Sequence, residues 1–320
     1  GDVYFTSGGT ESDNMAVKGI AFANRGRGNH IITTEIEHSA VLKSCAFLEQ
    51  EGFSVTYLPV DRYGMVHPDD VARAVTDRTI LITIMHANNE IGTIQPIEDI
   101  GAVARDSGVY FHSDAVQSAG KVPIDVEASH IDLLSISAHK FYGPKGVGAI
   151  YIRKGIEIEP TNHGGHHEKN MRSGTENTTG IIGLGRASEL AHTEQEAEAR
   201  YLIGLRERLQ QRITDEIEDC RVNGHPEQRL PGTLNVSFPG AEGESLILSL
   251  DLKSIAVSSG SACTSGSIEP SHVLAALGLD PQTALSSLRF SLGRDNTMGD
   301  VDYVMNNLPE VITNNLRDES

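Results

Sequence analysis

The run IDLLSISAHKFYGPKG sets a lysine, Lys140, three residues after Ser137, where the apolar stretch 131–136 gives out. A lone lysine is ordinarily a solvated surface charge. This one has company at other run ends. VYFHSDAVQS places Asp114 and Gln117 past a second β-rich run, MHANNEIG places Asn88 and Asn89 past a third, and TTEIEHSAV places His38 past a fourth. FTSGGTESDN sets Gly8, Gly9 and Thr10 between a fifth such run and a helical pattern. Singly, Asp114 reads equally well as a turn carboxylate, and His38 as a helix cap or a core histidine. Five run ends carrying one narrow set of polar groups are hard to explain as turn chemistry.

The set suits a small molecule with an anionic group, a basic aromatic ring and an aldehyde, and pyridoxal phosphate (PLP) is such a molecule. Backbone N–H groups where a glycine turn opens a helix form an anion site, so Gly9 and Thr10 fit a phosphate. A carboxylate beside a pyridine nitrogen keeps it protonated, which lets the ring accept electrons. Asp114 fits that place. An amide, Gln117 or Asn89, can donate to the ring's phenolic oxygen, the imidazole of His38 can stack on the ring face, and Lys140 is the amine for a Schiff base.

Such residues converge only if their runs are strands ending at one edge. Short β-rich segments alternate with helical ones through HIITTEIEHSAVLKSCAFLEQEGFSVTYLPV and TILITIMHANNEIG, the pattern of a mainly parallel sheet covered by helices. Ligands of such sheets sit beyond the carboxyl ends of the strands. From 185 to 220 the chain turns helical and charged, with Leu205, Leu209, Ile213 and Ile217 forming one apolar stripe. Beyond it GTLNVSF and SSLRFSLG alternate as half-buried strands, SHVLAALG reads as a helix capped by Ser271 and stopped by Gly278, and 255–258 reads as a strand. The fold class is α/β: a PLP-dependent transferase-like large domain over 1–198, and a smaller α+β C-terminal domain over 199–320.

The 320 residues carry 38% hydrophobic side chains, enough for a real core. With 44 acidic against 26 basic residues the formal charge is −18, which repels phosphate backbones and anionic lipid surfaces. Nucleic acid and membrane are therefore excluded as direct partners. Cys45, Cys220 and Cys263 are too scattered for a disulfide framework or a CxxC metal site, as in a soluble protein of a reducing, cytoplasmic compartment. HGGHHE, 163–168, has no second ligand cluster to make it a metal site. No metal is expected.

Taken together, SISAHKFYGPKG, HANNEIG, HSDAVQS, MRSGTEN and VSSGSACTSG resemble the signature segments of cysteine desulfurases of the NifS/IscS type, PLP enzymes of the class-V aminotransferase group. The resemblance runs in order from the first residue to about residue 294. It implies that Lys140 bonds the cofactor, Asp114 pairs with the pyridine nitrogen, Gln117 and Asn89 serve the phenolic oxygen, and His38 stacks on the ring. It also implies that Gly9, Thr10, Ser137 and His139 hold the phosphate, and that Thr175 reaches the phosphate of a neighbouring subunit, hence a homodimer with shared sites. Arg289 and Asn89 would bind the substrate, Arg289 forking onto its α-carboxylate as lysine could not. By pattern alone Arg289 alternates to the face opposite Leu288 and Phe290 and reads equally as a surface arginine.

VSSGSACTSG carries Cys263 in a segment too polar and too glycine-rich to bury it. In the resembling family this thiol takes sulfur from L-cysteine, leaving L-alanine, and carries the persulfide to an iron–sulfur scaffold or another sulfur acceptor such as a tRNA-thiolation protein. The same thiol is a candidate transient iron–sulfur ligand. Two other readings stand beside this one: a selenocysteine lyase or other class-V PLP enzyme, and a truncated, non-catalytic subunit that binds partners. His166 and Asn170 replace glycines usual in the family. Family members also carry a substantial segment before the TSGGTES-like motif, so an upstream segment is expected to be missing here.

Overall fold

The computed structural model describes residues 1–259 and 269–316. They divide into two compact units, the first formed by Gly1–Val60, Val66–Asn88 and Gln95–Gln195, the second by Asp61–Met65, Asn89–Ile94 and Glu196–Ser320.

In the first unit strands and helices alternate: β1 (Asp2–Thr6), α1 (Gly9–Ala23), β2 (His30–Thr34), α2 (Ser39–Gln50), β3 (Ser54–Leu58), α3 (Pro68–Ala74), β4 (Thr79–Thr83), α4 (Ile97–Ser107), β5 (Tyr110–Asp114), β6 (Leu133–Ser137) and β7 (Gly148–Ile152). The strands form one sheet in the order β1-β7-β6-β5-β4-β2-β3. Its pairs from β6 to β3 are parallel. β7 runs against both β6 and β1, so two reversals restore direction and β1 ends at the same edge as β6, β5, β4 and β2. Every residue of β2 and β4 is buried, as in central strands covered on both faces. Gly148 makes the β1–β7–β6 junction close: a Cβ there would stand 2.7 Å from the Cα of Gly8 and 2.6 Å from the carbonyl oxygen of Ile136.

Helix α5 (Thr178–Glu216) begins before the residue-185 expectation. The Asn177 side chain accepts the Gly180 N–H at 3.1 Å and caps it early. Its predicted stripe is real: Leu205, Leu209, Ile213 and Ile217 are buried in the core of the second unit, joined by Leu202 one turn earlier.

That unit contains β8 (Arg221–Asn223), β9 (Thr233–Ser237), α6 (Gly243–Asp251), β10 (Ser258–Ser259), α7 (His272–Ala276), α8 (Pro281–Leu285), β11 (Ser287–Ser291) and α9 (Met298–Asn314). Its antiparallel sheet has the order β10-β11-β9-β8. The strand expected over 255–258 is confined to β10 at its end, because the Ile255 N–H is spent closing α6 onto the Leu250 carbonyl at 2.9 Å. Ser271 caps α7, accepting from the N–H groups of Val273 and Leu274. Gly278, at φ 79°, stands just past it in the left-handed region.

Candidate active site

Gly8 precedes α1 at φ 152°, and a Cβ on it would lie 3.6 Å from Ser137 Oγ. A Cβ on Gly9 would stand 2.5 Å from a Val116 methyl, so glycine there lets the first turn of α1 lie against the loop after β5. Thr6 and Ser137 each pair with Gly148 in the sheet register, and Asp114 pairs with Ser135. The α1 start, the end of β6 and the end of β5 therefore meet at one edge. Ser12 N–H is bonded back to Gly8 at 3.2 Å, so the N–H groups of Gly9 and Thr10 precede the helical ladder. Thr10 is exposed.

Past β6, a 3-10 turn over Ala138–Phe141 carries exposed His139 and half-buried Lys140. Ser137 Oγ and His139 Nδ1 are 2.9 Å apart. Asp114 is buried and accepts the Val116 N–H at 2.8 Å. Burial pushes its carboxyl up to about 6, against the opposing influence of that hydrogen bond and of the Lys140 charge. Gln117 Oε1 accepts from Lys121 Nζ at 3.4 Å.

His38 is the N-cap of α2, its Nδ1 accepting the Ala40 N–H at 3.2 Å. Capping and cofactor stacking are compatible, since the cap uses one ring nitrogen and leaves the faces. Asn88 is different: fully buried, its amide donates to the Ile36 carbonyl at 3.0 Å and serves the fold. Thr175 is exposed and lines a cleft with Phe5, Ser7, Gly146 and Arg172. Asn170 adopts φ 69° and its side chain meets His166 Nδ1 at 2.6 Å. Asparagine tolerates this left-handed conformation better than most residues.

In the second unit, Leu288 and Phe290 are buried while Arg289 is half-buried between them. Its Nη1 donates to the Asn89 carbonyl at 2.9 Å, and its Nε is buried with no hydrogen-bond partner among the described residues. Cys263 lies outside the described residues.

A buried polar layer that no sequence motif marks lies beside Asp114. His112 joins Thr83 Oγ1 at 2.8 Å and Ser135 Oγ at 2.9 Å. Asp13 of α1 stands 3.7 Å from His112 Nε2, and Glu37 accepts the Met85 N–H and the Thr34 hydroxyl. A signal existed: Asp13 shares the helical register of Ala16, Val17 and Ile20, all buried, so an acid occupied an apolar face.

A family model described as aminotransferase class-V matches residues 1–304. The chain belongs to this family, whose cofactor is PLP. The cysteine desulfurase IscS of Methanosarcina thermophila is 58% identical over 311 residues, covering 97% of this chain and 77% of that protein. Its namesake from Clostridium botulinum is 54% identical over 313 residues, covering 97% and 79%. A solved structure described as a NifS-like protein superposes with a TM-score of 0.90 at 40% identity, covering 97% of this chain and 82% of that one.

The residues fit PLP. An amine, a buried carboxylate that feels its charge, and a glycine-lined helix start beside a serine hydroxyl answer respectively to an aldehyde, a basic ring nitrogen and a phosphate.

Proposed function

We propose that the chain is a PLP-dependent cysteine desulfurase, converting L-cysteine to L-alanine and leaving the sulfur on Cys263 as a persulfide. What carries this reading is the single sheet edge where Lys140, Asp114 and the Gly8–Ser137 approach meet. The likeness to named cysteine desulfurases supports the choice of reaction.

When bound, PLP supplies an electron sink that weakens bonds at the α- and β-carbons of an amino acid. Lys140 would anchor it covalently. The N–H groups of Gly9 and Thr10, with Ser137 and His139, would hold its phosphate. Asp114 would pair with the ring nitrogen, Gln117 and Asn89 would serve the phenolic oxygen, and His38 would stack on the ring. Thr175, exposed on this chain, serves the phosphate of a second subunit in a homodimer.

Arg289 takes the substrate carboxylate, and the Asn89 carbonyl on Nη1 orients its guanidinium while Nε has no partner among the described residues. The Cys263 thiolate attacks the substrate sulfur: an S–S bond forms, the C–S bond breaks, and its electron pair stays on the carbon, which takes a proton to give alanine. The persulfide then passes its sulfur to an iron–sulfur scaffold or a tRNA-thiolation protein in the cytoplasm, and Cys263 is a transient ligand where an iron–sulfur unit is built. Residues 1–198 form the cofactor domain and 199–320 the small domain that carries the thiol.

Cys263→Ser tests this directly. The variant keeps Lys140, Asp114 and the phosphate site, so it binds PLP and its absorbance still shifts on adding L-cysteine. Persulfide and alanine fall to background. Alanine at the parent rate would mean that sulfur leaves without a protein acceptor, the behaviour of a lyase.

A further inference from the structure

Helix α1 packs on β4, β5, β6 and β7, and it brings Asp13 into the polar layer beside Asp114. Asp13 is 1% exposed, and its Oδ1 has no hydrogen-bond partner among the described residues, while the Ser135 hydroxyl hydrogen-bonds its carboxyl group. The nearest basic atom is His112 Nε2 at 3.7 Å. That imidazole has both nitrogens engaged by hydroxyls, Thr83 and Ser135, and burial pushes it down to about 3, so it is a neutral ring. His112 and Asp114 stand two residues apart on β5, on one face of the sheet, and Ser135 is the register partner of Asp114.

The groups facing Asp13 from neighbouring elements are acids, one neutral ring and one hydroxyl, that of Ser135 on β6. β5 presents Asp114 and His112. Glu37, after β2, is pushed up to about 8 by burial. Two carboxylates cannot both ionise cheaply in such a layer, and burial together with the Asp114 charge raises Asp13 well above the ordinary carboxyl range, against the opposing hydrogen bond from Ser135. Asp114, which feels Lys140, is the one favoured as the anion.

We propose that Asp13 is a positioning residue for Asp114, the neutral acid that lets Asp114 stand as the single carboxylate facing the ring nitrogen of PLP. This rests on the assignment of Asp114 made above. Near neutral pH, Asp13 shapes the layer without adding charge. In alkaline solution it ionises, and the second negative charge holds the ring nitrogen protonated beyond the pH at which Asp114 alone would let it go.

The test uses PLP labelled with 15N in the ring, bound to the parent and to Asp13→Asn, with the nitrogen shift followed against pH. Asparagine mimics the neutral acid, so the two proteins coincide near neutrality. In the alkaline range the variant's ring nitrogen loses its proton at lower pH than the parent's. Coincidence over the whole range would reduce Asp13 to a structural role, and a difference already present at neutral pH would mean that Asp13 is charged there. If the variant does not fold, infrared spectroscopy of the parent with 13C-labelled aspartate reads the same point. A buried neutral carboxyl band at neutral pH is expected with PLP bound, and its absence overturns the proposal. Asp114→Asn serves as the separate control: an unaltered ring-nitrogen titration there removes the Asp114 assignment itself, whereas failure at Asp13 alone leaves that assignment standing.

Discussion

Gly148 and Gly8 touch backbone to backbone, so that a Cβ on residue 148 would stand 2.7 Å from the Gly8 Cα. The contact joins the middle of the β1–β7–β6 junction to the turn that opens α1. Neither partner is the far end of a flexible side chain, so neither can swing aside. Gly148→Ala is expected to cost about 1–3 kcal/mol of stability, the usual penalty of overpacking, and to weaken PLP binding by displacing Gly8 and Gly9. Urea unfolding and a PLP titration of the same variant check both effects. Unchanged PLP affinity in a destabilised variant would separate the junction from the phosphate site.

Asp114→Asn should retain part of its PLP and lose most of its turnover. The amide preserves the shape of the side chain and can still accept the Val116 N–H now bonded at 2.8 Å, but it carries no charge to keep the ring nitrogen protonated. Alanine formation by the reconstituted variant is the measurement. A near-parent rate would return Asp114 to the role of a turn residue.

Arg289→Lys should raise KM for cysteine more than it alters PLP binding. The guanidinium can keep Nη1 on the Asn89 carbonyl while offering other N–H groups to a carboxylate, and an ammonium cannot reproduce that planar fork. The expected loss is about 1.5–3 kcal/mol, the range for hydrogen bonds to charged groups. Steady-state kinetics with cysteine decide it, since an unchanged KM places the substrate carboxylate elsewhere.

The stability of the PLP-free chain should fall on both sides of a mildly acidic to neutral optimum. Burial raises Glu37 to about 8 and Glu90 to about 7. Acids raised in the fold contribute stability that is full below the unfolded carboxyl range and is lost as pH rises through the folded values. Burial lowers His86 to about 4 and His112 to about 3. Their contribution is full above the unfolded imidazole value and is lost as pH falls towards the folded ones. Glu37→Gln should flatten the alkaline decline of the melting temperature and leave the acid limb in place. An unchanged alkaline slope would show that Glu37 does not set it.

The sequence by itself determined the order of elements and the residue types at their ends. The β-rich runs ending near Asp114 and Ser137 are strands because apolar, β-favouring residues recur there over strand-like lengths, and the 205–217 stripe is helical because its period is that of a helix. Local chemistry also showed Ser271 as a cap, since a serine before an apolar helical run accepts free N–H groups. The strand expected over 255–258 survives only at Ser258, in β10, because a backbone N–H, which no side-chain pattern reveals, was already committed to ending α6.

Only the tertiary structure decided which polar groups share an environment. Asp13 and Asp114 lie a hundred residues apart in the chain, and packing α1 onto the sheet is what makes their charges compete. Asn88 and Asn89 looked alike in HANNEIG, yet the first turns inward to the Ile36 carbonyl, while the second offers its own carbonyl to Arg289. Spacing records which residues are available at the end of a strand. Desolvation and hydrogen-bond partnership, which fix their protonation and their roles, arise from long-range packing that a single sequence does not display.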